Sequence, residues 1–188
     1  MNRITPQEIT SLGQRIGLSY AQMMAFIMTE SPGRGFDPDN GKLLIQFEPV
    51  WFKRKEPFAP SGKWSINKVE VQSKEWLAFN NAYGIDPVSA MESTSIGLPQ
   101  ILGLHWKRLS YRSVGEMWDE FKRGEFNQVW GLTEFIKTGP KLHTAIKSND
   151  WHVVATLYNG PLYKQKAIQW GREPYNITLE KNFIRYSI

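Results

Sequence analysis

Cysteine is absent from the 188 residues, which removes disulfides, thiol catalysis and cysteine metal sites together. Histidine is scarce: His105, His143 and His152 lie far apart, and no HExxH or similar ligand spacing occurs. No metal or other cofactor is therefore expected. No apolar run approaches the roughly 20 residues that cross a bilayer, so stable membrane insertion is not expected either. The opening MNRITPQEIT lacks the apolar stretch of a secretory leader, which makes the cytoplasm the expected place of synthesis. Internal repeats, low-complexity tracts and linkers are also missing, so one domain over 1–188 is the expectation; the expected oligomeric state is a monomer.

What is present is apolar and aromatic. The chain is 41% hydrophobic and 22% charged, which excludes global disorder. Of the eight Trp, seven Tyr and ten Phe some belong to a core, and the eight tryptophans also suit a cleft that stacks flat faces such as sugars. A net charge of +5 favours an anionic partner: nucleic acid, an anionic membrane surface or bacterial cell wall. Nucleic acid is the weakest of these, because the basic residues are dispersed and no RNP, zinc-finger or KH pattern appears.

Thr5-Pro6-Gln7-Glu8 is a helix start, with Thr5 as N-cap, Pro6 at the first helical position and Glu8 completing a capping box. That helix is expected to stop near Gly17. Ser19-Tyr20-Ala21-Gln22 repeats the pattern for a second helix. There Tyr20, Met23, Met24, Ile27 and Glu30 recur at spacings of three and four, which puts Glu30 on or beside the buried stripe. Pro32, Gly33 and Gly35 end it. Asn40-Gly41 reads as a turn before a short strand closing at Glu48, within a small strand-bearing lobe of about 37–65. From Pro49 to Lys74 the pattern weakens, and a long surface excursion is expected.

Further helices are expected at 73–83, with Trp76, Leu77, Phe79 and Asn80 toward one side, at 86–91, and from Gln100 to about Leu109. Others follow at 113–124, 125–137, 142–148, 151–158, 162–171 and 179–186. The fold class is α+β, mostly helical, with a β-hairpin or strand-rich insertion.

A carboxyl group at the end of an apolar helix meets the geometric need of a general acid, since partial burial raises its pKa. The plainer alternative for Glu30 is a solvated helix end. Four segments bear on that choice: ESPGRGF (30–36), IQFEPVWF (45–52), STSIGLPQILG (93–103) and YNGPLY (158–163). In this order they resemble the motifs of lysozyme-like enzymes, and specifically the N-acetylmuramidase family found in bacteriophage endolysins, over about residues 5–170. Ile96 departs from that pattern, standing where the family usually carries tryptophan; the change removes a sugar contact or alters core packing.

The resemblance implies a lysozyme-like fold and a hydrolase of bacterial peptidoglycan. It cuts the β-1,4 bond between N-acetylmuramic acid and N-acetylglucosamine, with Glu30 as general acid and release to the wall after synthesis. A two-carboxylate mechanism needs a base or nucleophile. Glu48 is the first candidate, or else it holds a basic residue or a backbone amide in place; Asp37, Asp39 and Glu92 are weaker choices. Gly97 fits a tight turn that lets substrate approach the backbone beside Ser95. Gln100 either bonds an acetamido group or begins a helix. By resemblance Tyr158 lies near Glu30, while Asn159 contacts substrate or serves the turn with a left-handed backbone.

Softer signals are Trp51, Phe52, Trp64 and Trp106 as stacking faces or core, Lys53-Arg54-Lys55 as a solvated face, and His105 as a structural histidine. Two alternatives stay open: a lytic transglycosylase, which uses one glutamate and leaves 1,6-anhydro ends, and a wall-binding protein without activity.

Overall fold

The computed structural model describes residues 3–31, 33–68 and 71–187. In chain order its elements are α1 (Pro6–Gln14), α2 (Tyr20–Glu30), β1 (Ile45–Phe47), α3 (Pro49–Lys55), α4 (Gln72–Tyr83) and α5 (Pro87–Glu92). Then come β2 (Thr94–Ile96), β3 (Ile101–Leu102), α6 (Val114–Arg123), α7 (Glu125–Lys137), α8 (Pro140–Lys147), α9 (Trp151–Asn159), α10 (Tyr163–Gln169) and α11 (Tyr175–Tyr186). They pack as two compact units, one of Ile4–Gly33 and Val129–Ile188, the other of Met1–Arg3 and Arg34–Gln128.

The first unit is helical and built around α2. Both expected capping boxes form: Thr5 with Glu8 opens α1, and Ser19 with Gln22 opens α2. Every residue of α2 from Ala21 to Ile27 is buried, because α1 packs on it and α11 lies along it. A helix apolar on all sides has to be central. Helix α11 runs antiparallel to it: Tyr186 meets the Tyr20 ring edge-on at 6.2 Å, and Asn182 Nδ2 donates to Thr29 Oγ1 at 3.1 Å. Helix α9 joins through Phe26 against Tyr158 at 5.2 Å and Trp151 against Phe183 at 5.3 Å. Helix α11 begins at Tyr175, one turn earlier than the spacing implies. The reason is Pro174, which lacks an N–H and so sits at a helix entrance without loss.

The second unit holds an antiparallel sheet in the order β1-β2-β3, with Ile45 opposite Ile96 and Ile96 opposite Ile101. The Asn40-Gly41 turn forms, with Gly41 at φ +69°, but closes on a single bridge between Phe36 and Leu43. β1 pairs instead with β2, far along the chain. The expected surface excursion after Pro49 is partly wrong. It contains α3 and a 3₁₀ turn at Lys63–Ile66, and it buries Phe52 against Trp64 with ring centroids 4.9 Å apart. Residues 69 and 70 lie outside the described residues.

The expected helix from Gln100 is also wrong. Gln100 has φ +49° in the turn joining β2 to β3, and its Nε2 donates to the Gly97 carbonyl at 2.7 Å. A side chain that replaces a backbone partner in this way competes with helix formation.

Buried polar side chains orient this unit. Glu75 is 1% exposed; its Oε2 accepts from the Phe47 N–H at 2.8 Å and from Asn67 Nδ2 at 2.9 Å. It therefore sets the inward face of α4, while Leu77, placed there by spacing, is 52% exposed. At the start of α7, Glu125 Oε1 accepts from the Gly35 N–H at 3.0 Å. One turn on, Gln128 Oε1 accepts from the Leu98 N–H at 2.8 Å and its Nε2 donates to the Phe121 carbonyl at 2.9 Å. A Cβ at Gly35 would lie 1.9 Å from Gln128 Oε1, and one at Gly97 would lie 2.9 Å from the same amide. Gln128 thus ties the segment after α2 and the β2–β3 turn to one helix. Gln128→Ala removes both hydrogen bonds and opens a cavity, so urea denaturation should show a loss of about 2–4 kcal/mol. A loss under about 0.5 kcal/mol, the range of ordinary surface changes, would show that Gln128 does not hold these turns.

Candidate active site

Glu30 is the last residue of α2, three positions beyond its buried run of Ala21–Ile27. The Ser31 N–H still donates to Ile27, and Gly33 follows at φ +69°. Pro32, expected to help end the helix, lies outside the described residues. Burial pushes the Glu30 carboxyl up to about 7, and a hydrogen bond from Tyr175 offsets part of that rise. The carbonyl end of α2 also disfavours a negative charge there. The group therefore keeps its proton into the neutral range, which a solvated helix end would not do.

The Tyr175 hydroxyl donates to Glu30 Oε1. Its own ionisation is pushed well above the ordinary tyrosine value, by burial first and then by the Glu30 charge. Tyr158, expected beside Glu30, stacks on Tyr175 with centroids 6.3 Å apart and planes 16° apart. It is backed in turn by Phe26 and, at 5.6 Å, by Phe135. Tyr175 is the partner that sequence reasoning missed. Pro174 before it was the available signal, because it makes Tyr175 the first helical residue. Asn159 is exposed and still helical; the left-handed position expected of it belongs to Gly160, at φ +94°.

The remaining expected residues lie in the sheet-bearing unit. Glu48 closes β1 and stands before α3, its N–H donating to the Ser93 carbonyl at 2.9 Å and its Oε1 accepting from Gln46 Nε2 at 2.8 Å. Glu92 is committed to Lys55 through Oε2 and to Trp106 Nε1 through Oε1 at 2.6 Å. Asp37 organises its own turn, accepting from the Asp39 N–H at 2.9 Å and from Asn40 Nδ2 at 2.8 Å. Those contacts give Glu92 and Asp37 structural work.

Ser95 sits mid-strand in β2, opposite Gln46 and Leu102 and partly exposed. Gly97 has φ +70°, and a Cβ there would press on Gln128 and Phe121, so the turn needs glycine for packing. Ile96 is fully buried, which makes the departure at that position a matter of core packing. Phe52 and Trp64 are core, Trp51 lies under Arg54 at 4.9 Å, and His105 has its pKa lowered by burial and then by Arg108. Among the described residues no three His, Asp or Glu side chains gather as metal ligands would. Glu75, Glu125 and Gln128 also escaped the sequence reading, since a polar residue at helical spacing reads as solvated until its backbone partner is known.

A family model described as Muramidase, N-acetylmuramidase, matches residues 19–187. Among solved structures, the crystal structure of Burkholderia AP3 phage endolysin is 29% identical with a TM-score of 0.83. The match covers 98% of this chain and 71% of that chain. The comparison with curated proteins gave no match.

A carboxyl raised in the folded state binds its proton more tightly there than in the unfolded chain. Stability should thus be fully present below the unfolded value, about 4.5, and fall as pH rises toward about 7. Glu30→Gln removes that penalty. Denaturation at pH 8 should find the variant about 3 kcal/mol more stable than wild type, and at pH 4 nearly equal to it. Equal stabilities at both pH values would mean that Glu30 is solvated.

Proposed function

The chain belongs to the N-acetylmuramidase family, and we propose that it cleaves the peptidoglycan backbone with Glu30 as the general acid. The observation that carries this reading is the Glu30 carboxyl, poised at about 7 at the end of a buried helix with Tyr175 on one oxygen. With Oε1 accepting from Tyr175, the proton resides on Oε2. From there it passes to the oxygen linking N-acetylmuramic acid to N-acetylglucosamine as that bond breaks and positive charge develops at the muramic carbon. Tyr175 fixes which oxygen carries the proton. Tyr158 holds the Tyr175 ring by stacking.

Glu48 is the candidate base or nucleophile of the hydrolytic reaction. Ser95 and Gln100 around the β2–β3 turn, and Tyr158 and Asn159 at the end of α9, are the candidate glycan contacts, with Gly97 shaping the turn. On this reading residues 1–188 act as a single catalytic domain and as a monomer. No helix among the described residues is long and apolar enough to cross a membrane, and the site of action is the wall.

The test is mass spectrometry of fragments released from purified peptidoglycan by wild type, Glu30→Gln and Glu48→Gln. Reducing N-acetylmuramic ends are expected from wild type, with the rate lost about 10²–10⁴-fold in Glu30→Gln, the usual contribution of acid catalysis, and also lost in Glu48→Gln. Anhydro ends lost only in Glu30→Gln would make the enzyme a transglycosylase and leave Glu48 as scaffold. An undiminished rate in Glu30→Gln would end the assignment.

Because the acid must be protonated, kcat/KM should fall as pH rises through about 7. Tyr175→Phe removes the bond that lowers the Glu30 value, so this limb should move to higher pH. An unmoved limb would mean that Tyr175 does not act on Glu30.

A further inference from the structure

Within the sheet-bearing unit lies a hollow of about 320 Å³, lined in part by Arg3, Arg34, Phe36, Asp37, Pro38 and Glu125. Arg34 and Arg3 are exposed at its rim, while Phe36 is buried. Its two acids are already engaged. Asp37 accepts from the Asp39 N–H and from Asn40 Nδ2, and Glu125 accepts from the Gly35 N–H at 3.0 Å. Among the described residues Arg34 makes no ion pair. A planar guanidinium is suited to grip a carboxylate with two parallel hydrogen bonds, and Phe36 and Pro38 give the same hollow an apolar wall.

We propose that this hollow is a subsite for the stem peptides of peptidoglycan, with Arg34 holding a free peptide carboxylate and the apolar wall receiving a small side chain such as alanine. The proposal rests on the wall-hydrolase reading and extends it from the sugar backbone to the peptides. Such peptides carry both features, a terminal carboxylate and alanine methyls, whereas the lactyl carboxyl of N-acetylmuramic acid is consumed in the amide bond wherever a stem peptide is attached. The Glu125–Gly35 and Asp37–Asn40 bonds hold the loop in shape before ligand arrives, so little ordering remains when it binds. Arg34 is also only four residues along the chain from Glu30. It is a binding residue on this account, not a catalytic one.

The test is sedimentation binding of the full-length Glu30→Gln chain to purified sacculi, either native or with their carboxylates converted to amides by carbodiimide and ammonia. Amidation should weaken binding about fivefold, the scale of one exposed charge pair. Adding Arg34→Gln should weaken binding to native sacculi by the same factor and leave binding to amidated sacculi unchanged. Arg34→Lys should recover only part of the loss, since an ammonium cannot grip with two parallel bonds.

The subsite is overturned if Arg34→Gln binds native sacculi as well as its parent, or loses equally on native and amidated sacculi. Equal melting temperatures show that the comparison is between folded proteins. Because binding is read without turnover, failure of the hydrolase reading shows separately, as wild type releasing no fragments from the same sacculi.

Discussion

A single carboxyl group closes a helix that is buried along most of its length, and the candidate chemistry depends on that fact. Helix α2 has no solvent face from Ala21 to Ile27. A charge at its carbonyl end is opposed both by lost hydration and by the helix itself. The same burial that makes α2 the centre of its unit holds Glu30 near 7. Core and acid are therefore not separate designs. Altering the packing of α11 on α2 would alter the acidity of Glu30, because Tyr175 belongs to α11 and bonds to it directly.

In the sheet-bearing unit polar groups organise the structure from inside. β1 spans three residues, β2 three and β3 two, too short a sheet to stand by itself. Glu75 supplies an acceptor to β1 from α4, and Gln128 supplies both an acceptor and a donor from α7. Each lies in the interior with its oxygen or nitrogen paired, the condition under which a buried polar group is tolerated. The glycines at 35 and 97 are then explained by volume, since Gln128 fills the space a side chain would take.

Much of the helical part was legible in the sequence, for local reasons. Thr5, Ser19, Asp86 and Ser113 each satisfy an N–H within three residues, so neighbours alone predict the cap. Spacing and the motif segments placed Glu30 at the end of α2 and Glu48 at the close of β1. Gln100 was misread because the 100–109 stretch has helical spacing, while the hairpin that claims it depends on pairing with β2, an interaction no local window contains. The stretch after Pro49 was misread for a similar reason: an irregular stretch looks like surface until aromatic residues such as Phe52 and Trp64 find each other.

Sequence by itself determined the capped helix entrances at Thr5, Ser19, Asp86 and Ser113, the mostly helical class, the family and the place of Glu30 on the buried helix, because each is encoded by neighbours or by a short ordered motif. Tertiary structure alone decided that Tyr175 bonds to Glu30 from 145 positions away, and that Gln128 fills the space a side chain at Gly97 would take. It also decided that β1 pairs with β2 instead of folding back on itself. Those outcomes depend on burial and on which polar group reaches which partner. Both are properties of the packed chain, and spacing along the sequence does not carry them.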